Sequence, residues 1–361
     1  MNTIETFYDT NYQLKTNPRR EQIDYKYIQV ISPSQCGKTY FILDYLNNNF
    51  KPNSYLYIDC SDMRVSKIIL KDLIEFIDTN SIEILALDNY DKYDFDIDFT
   101  KLDIENIIIS TNLRLDIKLF HSIYLTPLDF EQFLLFANHS DSKVAFNYFF
   151  KYGNFPASAH FEENKQIQYL QNSIKINSKD DTQIYIRELI YSFIAQKRSL
   201  LELFQKAKEN IKISKDRFYS FVKYLQDSRE IYLVPNYFKP KAVKKIFSYN
   251  PALFGAVSFA KKFANILGNY IFLELYYRYS GIYYLDDIDF YIPSEELFIL
   301  CMPFVTDDLI AKKSSVILET ISHHNLSINQ IQIITNATEQ TIFIDDIECE
   351  IVPFYSWALS F

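Results

Sequence analysis

The chain has only five glycines, four cysteines, three methionines and one tryptophan in 361 residues. So few glycines exclude collagen-like and glycine-rich linker sequence, and they make each glycine worth inspecting. Cys36, Cys60, Cys301 and Cys349 stand far apart, with no C-x-x-C pair. That spacing supports neither a zinc nor a disulfide framework and favours a reducing compartment. No apolar run reaches membrane-span length; the best stretch, around 253–277, is broken by Lys261 and Lys262. The first residues lack a basic segment followed by an apolar one, so no signal peptide is expected. Positive charge is also in short supply. A net charge of -9 and a pI near 5.2 oppose non-specific nucleic-acid binding, so any such contact needs a local basic face. The reading is a soluble cytoplasmic protein.

Apolar residues make up 48% and aromatics 17%, which indicates a globular chain with enough length for two or three domains. The most informative stretch runs from Tyr27 to Leu46. Tyr-Ile-Gln-Val-Ile leads into Ser32-Pro33-Ser34-Gln35-Cys36-Gly37-Lys38-Thr39, and apolar residues then recur at helical spacing (Phe41, Ile42, Tyr45, Leu46). This is strand, loop and helix, matching G-x-x-x-x-G-K-[ST] except that Ser32 replaces the first glycine. Ser32, Gln35, Cys36, Gly37, Lys38 and Thr39 would surround a phosphate with backbone N–H groups and a helix N-terminus. Lys38 would reach the β- and γ-phosphates of ATP, and the Thr39 hydroxyl would ligate Mg²⁺. Ser32 must avoid positive φ or accept about 1–2 kcal/mol.

Further strands alternate with helices, which implies a parallel sheet flanked by helices. Tyr55–Asp59 and Ile82–Asp88 read as strands ending in acids, residues 65–77 as a helix, and Asn106–Asn112 as a strand with a polar exit. Gly37, Asp59, Asp88 and Asn112 all fall at carboxyl ends of strands, the rim where such sheets bind ligands. Asp88 is the metal-side carboxylate. Asn89 and Asn112 are the residues placed to act on an attacking water. An amide at 89 cannot serve as a base, so turnover should be slow and Asn89→Glu should raise it. The acidic segment 91–103 reads as a solvated loop rather than a calcium site. Arg19, Arg20, Arg64 and Arg114 are all available as arginine fingers acting from another copy.

Two segments then carry a resemblance, Pro127-Leu128-Asp129-Phe130-Glu131 and Tyr152-Gly153-Asn154-Phe155-Pro156. With the phosphate loop and the Asp88 strand, their order resembles a widespread family of bacterial and archaeal AAA+-like ATPases. The C-terminal half of that family is a domain of unknown function containing a nuclease-like fold. The resemblance spans nearly the whole chain. It implies an α/β parallel-sheet P-loop NTPase (AAA+-like) core, then a winged-helix-like module and a degenerate nuclease-like α/β domain. The expected divisions are 1–160, a linker 161–180, a module 181–250 and a last domain 251–361.

In the module, helices are expected over 183–196 and 199–209, with a third opened by Ser214 as N-cap. Residues 229–235 and 245–249 would form a wing. Arg217, Lys223, Lys239, Lys241, Lys244 and Lys245 form a candidate DNA-facing patch. The last hundred residues resemble the nuclease-like half, with Glu274 on a helix and Asp287 or Asp289 as a first acid. A metal-dependent nuclease needs an acid and a lysine on the next strand. Residues 297–303 offer Leu300 and Met302, or Cys301 and Pro303, so no nuclease activity is expected. Residues 347–357 read as an edge strand and short helix, and His323-His324 as surface or capping residues.

The leading functional expectation is Mg-ATP binding with slow or conditional hydrolysis coupled to the C-terminal domains. The alternative is a non-hydrolysing regulatory module that recognises DNA or protein and uses nucleotide as a structural ligand. No guanine-reading Asn-Lys-x-Asp motif is present, which favours adenine.

Overall fold

The computed structural model describes residues 3–10, 12, 17–92, 97–160, 165–260 and 262–361. Asp94 and Asp96 of the acidic segment, residues 161–164 of the expected linker, and Lys261 lie outside the described residues. The chain divides into two compact units, Met1–Pro127 and Leu128–Phe361.

The first unit contains α1 (Thr3–Tyr8), β1 (Tyr27–Ile31), α2 (Lys38–Asn49), β2 (Tyr55–Asp59), α3 (Leu70–Asn80), β3 (Ile84–Asp88), β4 (Asn106–Thr111) and β5 (His121–Tyr124). Its five strands form one wholly parallel sheet in the order β2-β3-β4-β1-β5. Both faces of β1 to β4 are covered, which is why these four are near-continuous apolar runs, while β5 at the edge is partly exposed. Side chains alternate between the faces. Tyr57, Ala86, Ile108, Ile28 and Val30 pack with Phe41, Ile42 and Leu46 of α2. Leu56, Ile58, Leu85, Leu87, Ile107 and Ile109 pack with Ile4 and Phe7 of α1 and Leu73 and Ile77 of α3. One strand, β4, separates the loop strand β1 from the carboxylate strand β3.

The second unit begins with α4 (Phe130–Ala137), α5 (Ser142–Tyr152), α6 (Gln166–Ile176) and α7 (Asp181–Tyr191). The boundary therefore falls ahead of residue 160, the end expected for the first domain. The cause is aromatic packing: Phe130, Phe133, Phe146 and Phe149 are buried in one cluster with Tyr270 and Phe354 of the C-terminal region. The Tyr152–Pro156 segment packs on the stretch around Tyr249 and Asn250, with Asn154 Nδ2 donating to Tyr249 O at 3.0 Å and the Phe155 ring against that of Tyr249. Gly153 has φ +84°, and a Cβ there would sit 2.4 Å from Asn250 Oδ1, so only glycine fits. The expected linker region 161–180 also contains α6, whose Leu170 and Ile174 are buried.

Next come β6 (Gln196–Lys197), α8 (Leu200–Asn210), α9 (Lys215–Asp227), β7 (Ile231–Val234) and β8 (Lys245–Ser248). The three strands are antiparallel in the order β6-β8-β7. Ser214 caps α9, its hydroxyl accepting from Arg217 N at 3.2 Å. Beneath these elements lies a buried ion pair. Arg187 of α7 grips Glu230 with Nε and Nη2, both at 2.9 Å, and Tyr191 adds a hydroxyl bond at 3.2 Å.

The remainder is α10 (Leu253–Val257), α11 (Phe263–Arg278), β9 (Phe290–Ile292), β10 (Leu297–Cys301), α12 (Asp307–His324), β11 (Gln330–Thr335), β12 (Gln340–Ile344), β13 (Ile347–Pro353) and α13 (Phe354–Trp357). The sheet order is β12-β13-β11-β10-β9. β10, β11 and β13 run parallel, with an antiparallel strand at each side. β13, expected at the edge, is an inner strand. β12 covers it through a short turn, and β12, largely exposed, takes the edge instead.

Candidate functional site

In the first unit, α2 starts directly after Gly37, whose φ of +88° turns the chain from loop into helix. Gln35 takes the other left-handed position of the loop, with φ +69°. Ser32 is not among the positive-φ residues, so the missing first glycine costs no left-handed strain. Its N–H bonds Thr111 O at 3.1 Å and its hydroxyl bonds Pro33 O at 2.8 Å, fixing the loop entry to β4 and to itself.

Lys38 is buried. Its ammonium donates to Ser32 O at 2.9 Å, Pro33 O at 3.3 Å and Asn112 Oδ1 at 2.8 Å. Asn112 is thereby drawn to the phosphate loop, and its own N–H donates to Asp91 Oδ2 at 3.1 Å. Thr39 Oγ1 donates to Asp88 Oδ2 at 2.5 Å. Cys36 is buried beneath the loop, its thiol 3.8 Å from Ser34 O, and it presents its backbone rather than its sulfur.

Asp88 is fully buried. Besides Thr39 it accepts from Tyr57 OH at 2.8 Å, from Asn89 N at 3.0 Å and from the Ser110 hydroxyl. Sequence reasoning missed Tyr57 and Ser110. Strand parity was the available signal, because each lies two residues before a rim residue, Asp59 or Asn112, and shares its face. Burial, followed by the Asp88 charge, pushes the Tyr57 hydroxyl far above the ordinary tyrosine range, so it remains a donor. Burial beside Asp59 and Asp88 likewise raises the Cys60 thiol to about 12, which leaves it unreactive.

All these donors to Asp88 are neutral, and no lysine or arginine among the described residues pairs with it. A buried carboxylate without a protein cation suits a site completed by a metal ion. The donor set fits Mg²⁺, which prefers one or two protein oxygens together with substrate phosphates. Thr39 and Asp88 would supply them. No group of three or more His, Cys, Asp or Glu side chains forms a closed metal cage among the described residues.

Asn89 has φ +55° and leaves the strand alternation. Its Nδ2 donates to Asp59 Oδ1 at 3.0 Å. Asp59 and Asp88 are in direct register on adjacent strands. Of the arginines, Arg19 is held by Thr126 O at 2.5 Å and Arg64 by Asp62, both Nε and Nη2 engaging that carboxylate, while Arg20 and Arg114 are exposed.

In the second unit, Lys245 does not lie on an exposed patch. It is buried and pairs with Asp289 at 2.9 Å. Asp289 also accepts from Cys301 N at 3.0 Å. These residues line a cavity of about 210 Å³ together with Asn265 and Gly268. Glu274 is turned elsewhere, accepting from Phe130 N at 2.8 Å and pairing with Arg278 at 2.7 Å. Among the other patch residues, Arg217 pairs with Asp180, Lys223 with Asp227 and Lys239 with Asp286, while Lys241 and Lys244 are exposed. His324 stacks on Phe238 at the end of α12 with centroids 3.9 Å apart. No described helix is long and apolar enough to cross a membrane.

No known protein family matches the sequence. The chain is 26% identical over 390 residues to an uncharacterized protein of Methanocaldococcus jannaschii, covering 90% of this chain and 86% of that one. Among solved structures, a Walker-type ATPase of Pyrococcus abyssi aligns with 68% of this chain and 99% of its own. The TM-score is 0.44 and the identity 13%, a similarity too loose to carry the fold by itself.

Proposed function

We propose that the first unit binds Mg-ATP at the loop Ser32–Thr39 and hydrolyses it slowly. The observation that carries this reading is the buried Asp88 carboxylate, ringed by neutral donors and touching the Thr39 hydroxyl next to Lys38. Gly37 and Gln35 shape the loop so that its backbone N–H groups face a phosphate. Lys38 would exchange its carbonyl partners for the β- and γ-phosphate oxygens, and Asn112 would steady its ammonium. Mg²⁺ held through Thr39 and Asp88 supplies charge neutralisation for the transferring phosphoryl group. Tyr57 and Ser110 orient Asp88 toward that ion.

The experiment is a calorimetric titration with Mg-ATP and Mg-GTP, followed by a turnover assay. Lys38→Ala should weaken Mg-ATP binding at least about tenfold, and turnover should lie below the roughly 1 s⁻¹ low end of typical enzymes. Equal affinity of wild type and Lys38→Ala would remove the assignment. Binding without any turnover would favour the non-hydrolysing regulatory reading.

For the second unit, we read α7, α8, α9 and the β6-β8-β7 sheet as a winged-helix-like module. The β9–β13 sheet is read as a nuclease-like scaffold without catalytic residues. The strand orders support both. Duplex DNA is the partner class proposed for the module, through Arg217, Lys223 and Lys244. Nucleotide turnover in the first unit is proposed to be coupled to the second.

A further inference from the structure

We propose that Asp59 orients the attacking water and takes up its proton, a role that Asn89 cannot fill. This rests on the nucleotide reading above. The left-handed backbone at Asn89 turns its amide toward Asp59, and Nδ2 donates to Oδ1 at 3.0 Å. The same oxygen accepts from Ser61 N at 2.9 Å and from Ser61 Oγ at 2.7 Å. Three donors on Oδ1 fix the carboxylate plane, while Oδ2 accepts from no described residue. Asp59 is in register with Asp88, about 4.8 Å away in the sheet, and strand parity puts it on the α2 face with Tyr57. Asp91 is the other acid near the rim, but it is exposed and its Oδ2 already accepts from Asn112 N. An amide at position 89 accepts no proton near neutral pH, whereas a carboxylate does. Asn89 is then a positioning residue for the base.

In the step, the water oxygen forms a bond to the γ-phosphorus. The bond from that phosphorus to the bridging oxygen breaks, and its electron pair leaves with ADP. The water proton passes to Asp59 Oδ2 and is then released to phosphate or solvent.

Calorimetric titration with Mg-ATP and single-turnover hydrolysis are measured on full-length wild type, Asp59→Asn, Asp59→Glu, Asp91→Asn and Lys38→Ala. Asp59→Asn should bind within about threefold of wild type and hydrolyse about 10²–10⁴-fold more slowly. Asp59→Glu should recover part of the rate, and Asp91→Asn should remain within about threefold of wild type. If Asp59→Asn does not fold, Ser61→Ala should still lower the rate about tenfold with affinity kept, because it removes one of the three donors that fix Oδ1. Wild-type hydrolysis by Asp59→Asn, or by Ser61→Ala in that case, overturns the proposal. So does a wild type that binds Mg-ATP and never turns it over. Failure of the nucleotide reading is distinct: wild type and Lys38→Ala would then bind equally weakly.

Discussion

Asn89 Nδ2 lies 3.0 Å from Asp59 Oδ1, so the residue after the buried Asp88 faces a second carboxylate one strand away. This contact reverses an expectation drawn from the sequence. Asn89→Glu would not restore a base; it would set a carboxylate against Asp59 and lose the donor that holds it. We expect kcat to fall at least about tenfold at saturating Mg-ATP, within the range for impaired general-base assistance. A rise in kcat would return the role to position 89.

The loop's left-handed positions are Gln35 and Gly37, while Ser32 is not among them. Gly37→Ala should therefore cost about 1–2 kcal/mol and weaken Mg-ATP binding. Ser32→Gly should give no gain in stability, because it relieves no strain and adds backbone entropy to the unfolded chain. Urea unfolding of the two variants beside wild type checks both, and a more stable Ser32→Gly would contradict the loop geometry.

Arg187 and Glu230 are both buried, with two guanidinium bonds at 2.9 Å. Arg187→Ala would leave the Glu230 charge buried and unpaired. The expected loss is about 3–5 kcal/mol in denaturant unfolding of the second unit. A loss under about 1 kcal/mol would show that the pair is not desolvated as described.

Burial raises the Glu274 carboxyl from 4.5 to about 7, helped by the nearby Asp129 charge and opposed by Arg278. The folded state therefore holds a proton that the unfolded state gives up. The stability from this group is fully present below about pH 4.5 and is lost as pH rises through about 7. The span amounts to about 3 kcal/mol. Glu274→Gln should flatten the fall in stability of the second unit over that window, read from urea midpoints at successive pH values. An unchanged slope would assign the pH dependence to other groups.

In the second unit, the Asp289 carboxylate is engaged by Lys245 and by Cys301 N. We expect no Mg²⁺- or Mn²⁺-dependent cleavage of plasmid DNA, and cleavage that Asp289→Ala abolishes would refute this. Duplex binding should weaken steeply with salt and with charge reversal of Arg217 and Lys244. Unchanged mobility shifts after both reversals would leave the module with a packing role alone.

The sequence by itself determined the elements of the first unit and the chemistry of its rim. Apolar runs ending in Asp59, Asp88 and Asn112, with Gly37-Lys38-Thr39 between strand and helix, are local patterns. The backbone follows them wherever both faces of a sheet are buried. Ser214 was legible as a cap for the same reason: the cap bonds its own helix. What only the tertiary structure decided are relations between distant residues. The sequence could not say that β4 lies between β1 and β3, bringing Asn112 to Lys38, 74 positions away. Nor could it say that Asn89 turns to Asp59, that α4 and α5 pack with the C-terminal aromatics, or that Lys245 is buried on Asp289. Each depends on which buried surfaces and charges find partners across the fold. Those pairings are settled by strand order and by the cost of leaving a charge or an aromatic face unmatched, and neither is written in any short stretch of chain.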